Sequence, residues 1–368
     1  MKKLFLYISI VSGFLFQSCI NDNEDPIAVS PIEGSIVNPS VGGATQPNQI
    51  WFDLSSGTET KTNRADWDLA FYSGNEFKVV LNSSIMMAAG KIPNATNIDL
   101  VKESDVTSLK DQVQVANFNP ENENYIDTVT GNYLTGYTAI SEISATDSQN
   151  AIYLVNLGKD IYKGNVAIGS VTTGGDLRGW MKVQITRNAS GYKIKYAELN
   201  STSHKEVNID KNFDYNFTFF SLKNDKEVMI QPEKKHWDIC FTVFTNIIEG
   251  AGSYVYADFI LSNILSGVGA YEVVVTAPAT GSEAYNNFKL ENVEPSKFIF
   301  NDHRAIGGNW RNPVGANGLE TYGDRFYVVR DAEGYFFKIR FTRMTKAQTD
   351  QFGQAGERGF PQFEYQPL

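Results

Sequence analysis

The sequence is poor in the residues that carry most protein chemistry: its 368 positions include 2 cysteines and 3 histidines. Two thiols cannot build a disulfide framework. The scarce histidines form no His-Glu-x-x-His motif and no Cys/His zinc spacing. A Gly-x-Ser-x-Gly elbow and a Gly-x-x-x-x-Gly-Lys phosphate loop are missing too, so no motif supports an enzyme, and none is expected. Paired carboxylates of the glycosidase kind cannot be judged from spacing, because a β fold can bring two acids together from anywhere. A basic surplus is also lacking. The net charge of −10 argues against a general nucleic-acid or anionic-lipid surface. Beyond residue 19 no apolar run reaches the roughly 18 residues of a transmembrane helix.

What is present begins with a basic pair, Lys2 and Lys3, and an apolar run from Leu4 to Phe16, the length of a signal-peptide core. Ser18-Cys19 follows at once. The stretch Leu15-Phe16-Gln17-Ser18-Cys19 resembles a bacterial lipobox, so residues 1–18 are expected to be a lipoprotein signal peptide and Cys19 the lipidated first residue of the mature chain. The alternative is an ordinary cleaved signal with an incidental cysteine. Asn21-Asp22-Asn23-Glu24-Asp25 is acidic; it suits a solvated tether and resembles the tag that sends Bacteroidetes lipoproteins to the outer face of the outer membrane. Residues 19–45, rich in Asn, Ser, Pro and Gly, read as that tether. With Cys19 acylated, Cys240 is left in an apolar run as a buried small hydrophobe.

A 42% hydrophobic and 20% charged composition is enough for ordinary globular cores, and the length suggests two domains. The chain also repeats itself. Trp67-Asp68-Leu69-Ala70-Phe71 returns as Trp237-Asp238-Ile239-Cys240-Phe241, each after an aromatic strand, Trp51-Phe52-Asp53-Leu54 in one case and Phe219-Phe220-Ser221-Leu222 in the other. Lys182–Arg187 has its counterpart in Lys338–Arg343, both alternating with the period of a strand that buries one face. Tyr192–Tyr196 corresponds to Gln362–Tyr365. Two copies in one order predict a duplicated domain, at 46–209 and 210–368. The intervening runs are short and rich in Val, Ile, Tyr, Phe and Thr. With Asn/Gly/Asp turns between them, they predict a mainly-β fold: two tandem antiparallel β-sandwich or meander domains with minor helix, the helix at Ser104 to Val113.

These residues resemble the HmuY family of haem-binding lipoproteins of Bacteroidetes. The resemblance rests on the aromatic strand followed by the Trp-Asp strand, the Gly307-Gly308-Asn309-Trp310 turn, the hairpin around Arg330-Asp331-Ala332-Glu333-Gly334, and a last strand containing Phe363-Glu364-Tyr365. The second repeat matches nearly throughout, the first mainly at Trp67 to Phe71 and its closing strands. The resemblance implies an all-β surface protein that holds haem, takes part in iron acquisition, and hands haem to a TonB-dependent outer-membrane receptor. It also implies two axial ligands, His or Met, one of them just after the Gly-Gly-x-Trp turn. Here that position holds Arg311-Asn312-Pro313-Val314, and the loop Ala277–Lys289 also lacks both residue types, so the usual pair is absent from the second repeat.

Three other residues stand as ligand candidates. His303 lies in a loop beside Asp302, an acid able to orient its ring; the competing reading is a solvated loop histidine. Met86 and Met87 follow the first Trp-Asp strand, as thioether ligands or as fillers of core gaps. His204 and His236, among charged residues, are expected to be exposed. Trp67, Asp68, Trp237 and Asp238 read as fold-defining positions, the tryptophans as anchors of their sheets and the acids as bonded to backbone or arginine. The aromatic content, 13%, is enough to line a flat apolar pocket. A duplicated adhesion or accessory module that kept the fold and lost the ligand is the alternative function.

Overall fold

The computed structural model describes residues 34–315, 318–346 and 356–368; Cys19 and the signal lie outside the described residues. The first half supplies β1 (Ser35–Val37), β2 (Asn48–Phe52), β3 (Glu59–Asn63), β4 (Leu69–Tyr72), β5 (Val79–Leu81), β6 (Ala88–Lys91), β7 (Ile152–Asn156), β8 (Trp180–Arg187), β9 (Gly191–Glu198) and β10 (Lys205–Asp210). The second supplies β11 (Phe217–Ser221), β12 (Lys226–Val228), β13 (Ile239–Ile248), β14 (Gly252–Ser262), β15 (Gly269–Val274), β16 (Arg311–Gly315), β17 (Gly318–Thr321), β18 (Arg325–Arg330), β19 (Phe336–Thr345) and β20 (Arg358–Pro367). The helices are minor: α1 (Thr107–Gln112), within the expected segment, and α2 (Gly281–Asn287), capped by Thr280 and Glu283. The fold is mainly β with antiparallel sheets, as expected.

Two five-stranded sheets, β6-β7-β8-β9-β10 and β15-β18-β19-β20-β1, back two four-stranded sheets, β12-β11-β4-β5 and β14-β13-β2-β3. Both four-stranded sheets mix the repeats. Hairpin β2–β3 of the first repeat pairs with β13 of the second, and hairpin β11–β12 of the second pairs with β4 of the first. The cores follow the exchange. Phe220 and Leu222 pack with Leu69, Phe71, Val183 and Ile194. Ile50, Phe52 and Leu54 pack with Ile239, Phe241, Ile339 and Phe363. The repeats expected at 46–209 and 210–368 therefore trade their opening hairpins, and the described residues form one compact unit. Alternation explains why either core accepts either hairpin: both present apolar residues at every second position, so each fills the same slot.

The crossing segments are held in place by buried polar groups. Arg64, fully buried between β3 and β4, donates to the carbonyls of Gln46 at 2.7 Å and Ser84 at 2.6 Å, and also bonds the Thr173 carbonyl. Asp238 accepts the Leu54 N–H at 2.8 Å and the Ala332 N–H at 3.0 Å, tying the first repeat's hairpin to the second repeat's turn. Asp68 does the equivalent for the other hairpin. It accepts the Lys223 N–H at 3.2 Å and pairs with Arg178 at 2.6 Å.

Candidate functional site

Strand alternation places a second set of side chains on the faces that the four-stranded sheets turn toward each other. Trp51 leaves β2 on the face opposite Ile50 and Phe52. Phe217 and Phe219 leave β11 opposite Phe220, Ala70 leaves β4, and Cys240 leaves β13. Trp67 and Trp237, from the two crossing segments, join them. The result is an aromatic cluster shared by both repeats and related by their duplication. Trp51 meets Trp237 edge to face at 4.8 Å, and Phe219 meets Trp67 likewise at 4.9 Å, the geometry aromatic quadrupoles favour. Cys240, fully buried beneath, has its thiol pushed up by burial and is the small apolar filler expected.

A cleft opens in this cluster. Its interior holds about 80 Å³, and the volume reaches about 650 Å³ only when the solvent-open mouth is counted. Trp51, Trp67, Phe217, Phe219 and Trp237 form its walls, with Tyr133 and His303 at one end. Each of those two comes from the long loop of a different repeat, Tyr133 between β6 and β7 and His303 between β15 and β16, and their rings lie 4.9 Å apart. Asn263 lines the cleft, and Asn82 is its equivalent in the first repeat. Asn82 donates to the Arg64 and Trp67 carbonyls, and Asn263 to those of Lys234 and Trp237.

His303 is 4% exposed rather than a solvated loop residue. Its carbonyl accepts the Ser262 N–H at 2.8 Å, pinning the loop to β14. Burial pushes the imidazole down to about 4, so the ring is neutral at pH 7. The ring bonds the Val129 carbonyl, while Nε2 has no partner among the described residues. Assigning the Val129 bond to Nδ1–H leaves the Nε2 lone pair free at the cleft. Asp302 does not orient the ring as expected: Arg304 takes its carboxylate at 3.0 Å, and a carbonyl from the other repeat fixes the imidazole instead.

The methionines are not at the cleft walls. Met87 is buried in the first repeat's core, and Met86, at a left-handed position with φ of 65°, packs toward Gly174. Both fill gaps. His236 is exposed, but His204 is largely covered, bridging Asp99 at 2.8 Å and Glu206 at 3.2 Å. The Gly307-to-Trp310 turn is structural: Gly307 bridges Ile260, and the Trp310 indole donates to the Asp258 carbonyl at 3.2 Å. Arg311, just after it, is buried and bonds the Ala257 carbonyl. Among the described residues no three His, Cys, Asp or Glu side chains are grouped to hold a metal ion, and no helix is long and apolar enough to cross a membrane.

Tyr133, Gln231, Ser262 and Asn263 went unnoticed in the sequence, as did Asn82, the equivalent of Asn263. Leu81-Asn82 and Ser262-Asn263 both close a strand after the Trp-Asp motif, so extending the repeat alignment would have found the asparagines. Nothing local marks Tyr133, one of four aromatics, with Phe118, Tyr125 and Tyr137, in the polar loop between β6 and β7.

No curated protein matches the chain. The family described as HmuY protein matches it twice, over residues 45–209 and 214–365. It is a family of haem-binding, non-enzymatic proteins, typically at the cell surface. Two matches in tandem, together spanning most of the sequence, place this chain in the HmuY family.

Proposed function

We propose that the protein is an outer-membrane lipoprotein, held by lipid on Cys19 and facing outside the cell, that binds haem or a related tetrapyrrole and passes it to a TonB-dependent receptor. Family membership supports the haem reading and the surface location. The observation that carries the site is His303, a neutral imidazole with a free Nε2 at the end of an aromatic cleft. A neutral imidazole of fixed tautomer is a sound axial ligand for haem iron, and flat aromatic walls suit a macrocycle. The fit is one-sided. Among the described residues His303 is the one His or Met in the cleft walls, so this chain would hold the iron through a single histidine.

Titration of the purified mature protein with haemin tests this. A saturable Soret shift is expected, together with its loss in His303→Ala and its retention in Met86→Ala/Met87→Ala. The absent ligand pair favours a second reading, an accessory surface module that kept the fold without ligation. That reading wins if haemin gives no saturable change in either redox state. The anchor is tested separately: Cys19→Ser or globomycin should block lipid-dependent processing, and normal processing under both would remove the lipoprotein assignment.

A further inference from the structure

The duplication gives the cleft an internal control, because most of its wall positions occur twice. Trp67 and Trp237 are equivalent, yet their indole N–H groups fare differently. Trp67 Nε1 donates to Gln49 Oε1 at 2.9 Å. The second repeat carries Phe217 where the first carries Gln49, two residues before the strand positions Phe219 and Trp51 that pair with Ala70 and Cys240. Phe217 has no acceptor to offer, and the buried Trp237 Nε1 has no partner among the described residues. The next pair diverges in the same sense. Leu81 stands opposite Leu69, and Ser262 stands in the equivalent place opposite Ile239. The Ser262 hydroxyl is also buried and unpartnered, as is Gln231 Oε1.

Three unpartnered polar groups thus lie on the second repeat's wall of one cleft. The first repeat's wall is apolar there or internally bonded. Leaving a buried donor or acceptor unsatisfied costs about 1–3 kcal/mol each, so such groups are rare and gather where something else completes them. An indole N–H can only donate, a serine hydroxyl can donate, and a glutamine amide presents its NH2 after a flip. Among the described residues no Lys or Arg lines the cleft.

Building on the tetrapyrrole reading, we infer that Trp237, Ser262 and Gln231 form the recognition edge for a carboxylate of the ligand, whose apolar face rests on Trp67, Phe217 and Phe219. The site is then polar on one side through divergence of the second copy. A carboxylate accepting two or three neutral N–H or O–H bonds is stable without a cation.

Metal-free protoporphyrin and its dimethyl ester, titrated in the same buffer and read by porphyrin fluorescence, test this without involving iron. The wild-type chain should bind the diacid at least about tenfold more tightly than the diester. Trp237→Phe/Ser262→Ala should weaken diacid binding by about that factor and leave diester binding unchanged; Ser262→Ala alone should do part of this if the double variant does not fold. His303→Ala should alter haemin binding and spare the metal-free porphyrins. Equal binding of diacid and diester, or an equal loss of both in the variants, overturns the inference while leaving the cleft a porphyrin site. Failure of haemin and both porphyrins to bind overturns the tetrapyrrole reading and the inference with it.

Discussion

Replacing Asp238 by asparagine tests whether the Trp-Asp motif ties one repeat's hairpin to the other repeat's core. The 2% exposed carboxylate accepts two backbone N–H groups, from Leu54 and Ala332. Asparagine keeps one acceptor oxygen, so one buried N–H is left facing an NH2 group, at about 1–3 kcal/mol. Titration adds a signature. Burial, reinforced by the Asp331 and Asp53 charges, pushes Asp238 up to about 7, against about 3.9 for an unfolded aspartate. Between those values the folded chain holds a proton that the unfolded chain has released. The associated stability is complete below about pH 4 and is lost as pH rises through 7, a window worth up to about 4 kcal/mol. Asparagine cannot titrate. Urea denaturation followed by tryptophan fluorescence should therefore find D238N less stable than wild type at pH 5, with the deficit reduced by about 2–3 kcal/mol, enough to cancel it, at pH 8. Asp127, also pushed up to about 7 by burial, is common to both proteins and cancels. A deficit that stays constant between the two pH values would refute the reasoning.

Residues 210–368 expressed alone lack Ile50, Phe52 and Leu54, each worth about 1.5–3 kcal/mol when buried. That sum rivals the whole stability of a domain, so the fragment should show no cooperative unfolding by circular dichroism, and joining residues 34–63 to 231–368 should restore it. Arg64→Leu removes charge-assisted bonds to the Gln46 and Ser84 carbonyls and should lower stability by about 3 kcal/mol or more, seen as a fall in Tm. His303 is buried neutral, so its unfolded form takes up a proton that the folded form refuses. Stability should decline as pH falls from about 6.5 to about 4, by up to about 3 kcal/mol, and His303→Gln should flatten that part of the curve in chemical denaturation.

Much of the protein was readable in one dimension. The period-two runs declared strands with one buried face, and the recurrence of Trp67-Asp68 as Trp237-Asp238 declared a duplication, because packing positions survive copying. Together these carried the fold class and the family. Which core a strand joins was not readable: β2 and β11 bear the same pattern, so a rule about faces cannot choose between two equivalent slots. Tertiary structure made that choice, and with it placed Trp51 against Trp237 and Phe219 against Trp67. It also decided the state of His303. From its neighbours the residue reads as a charged-loop histidine beside an acid, but in space it is a buried neutral ring held by Val129, more than 170 positions earlier. Local sequence records which side chains a residue can satisfy nearby. Only the packed chain decides which of them are left unsatisfied, and at this cleft those are the groups of Trp237, Ser262, Gln231 and His303.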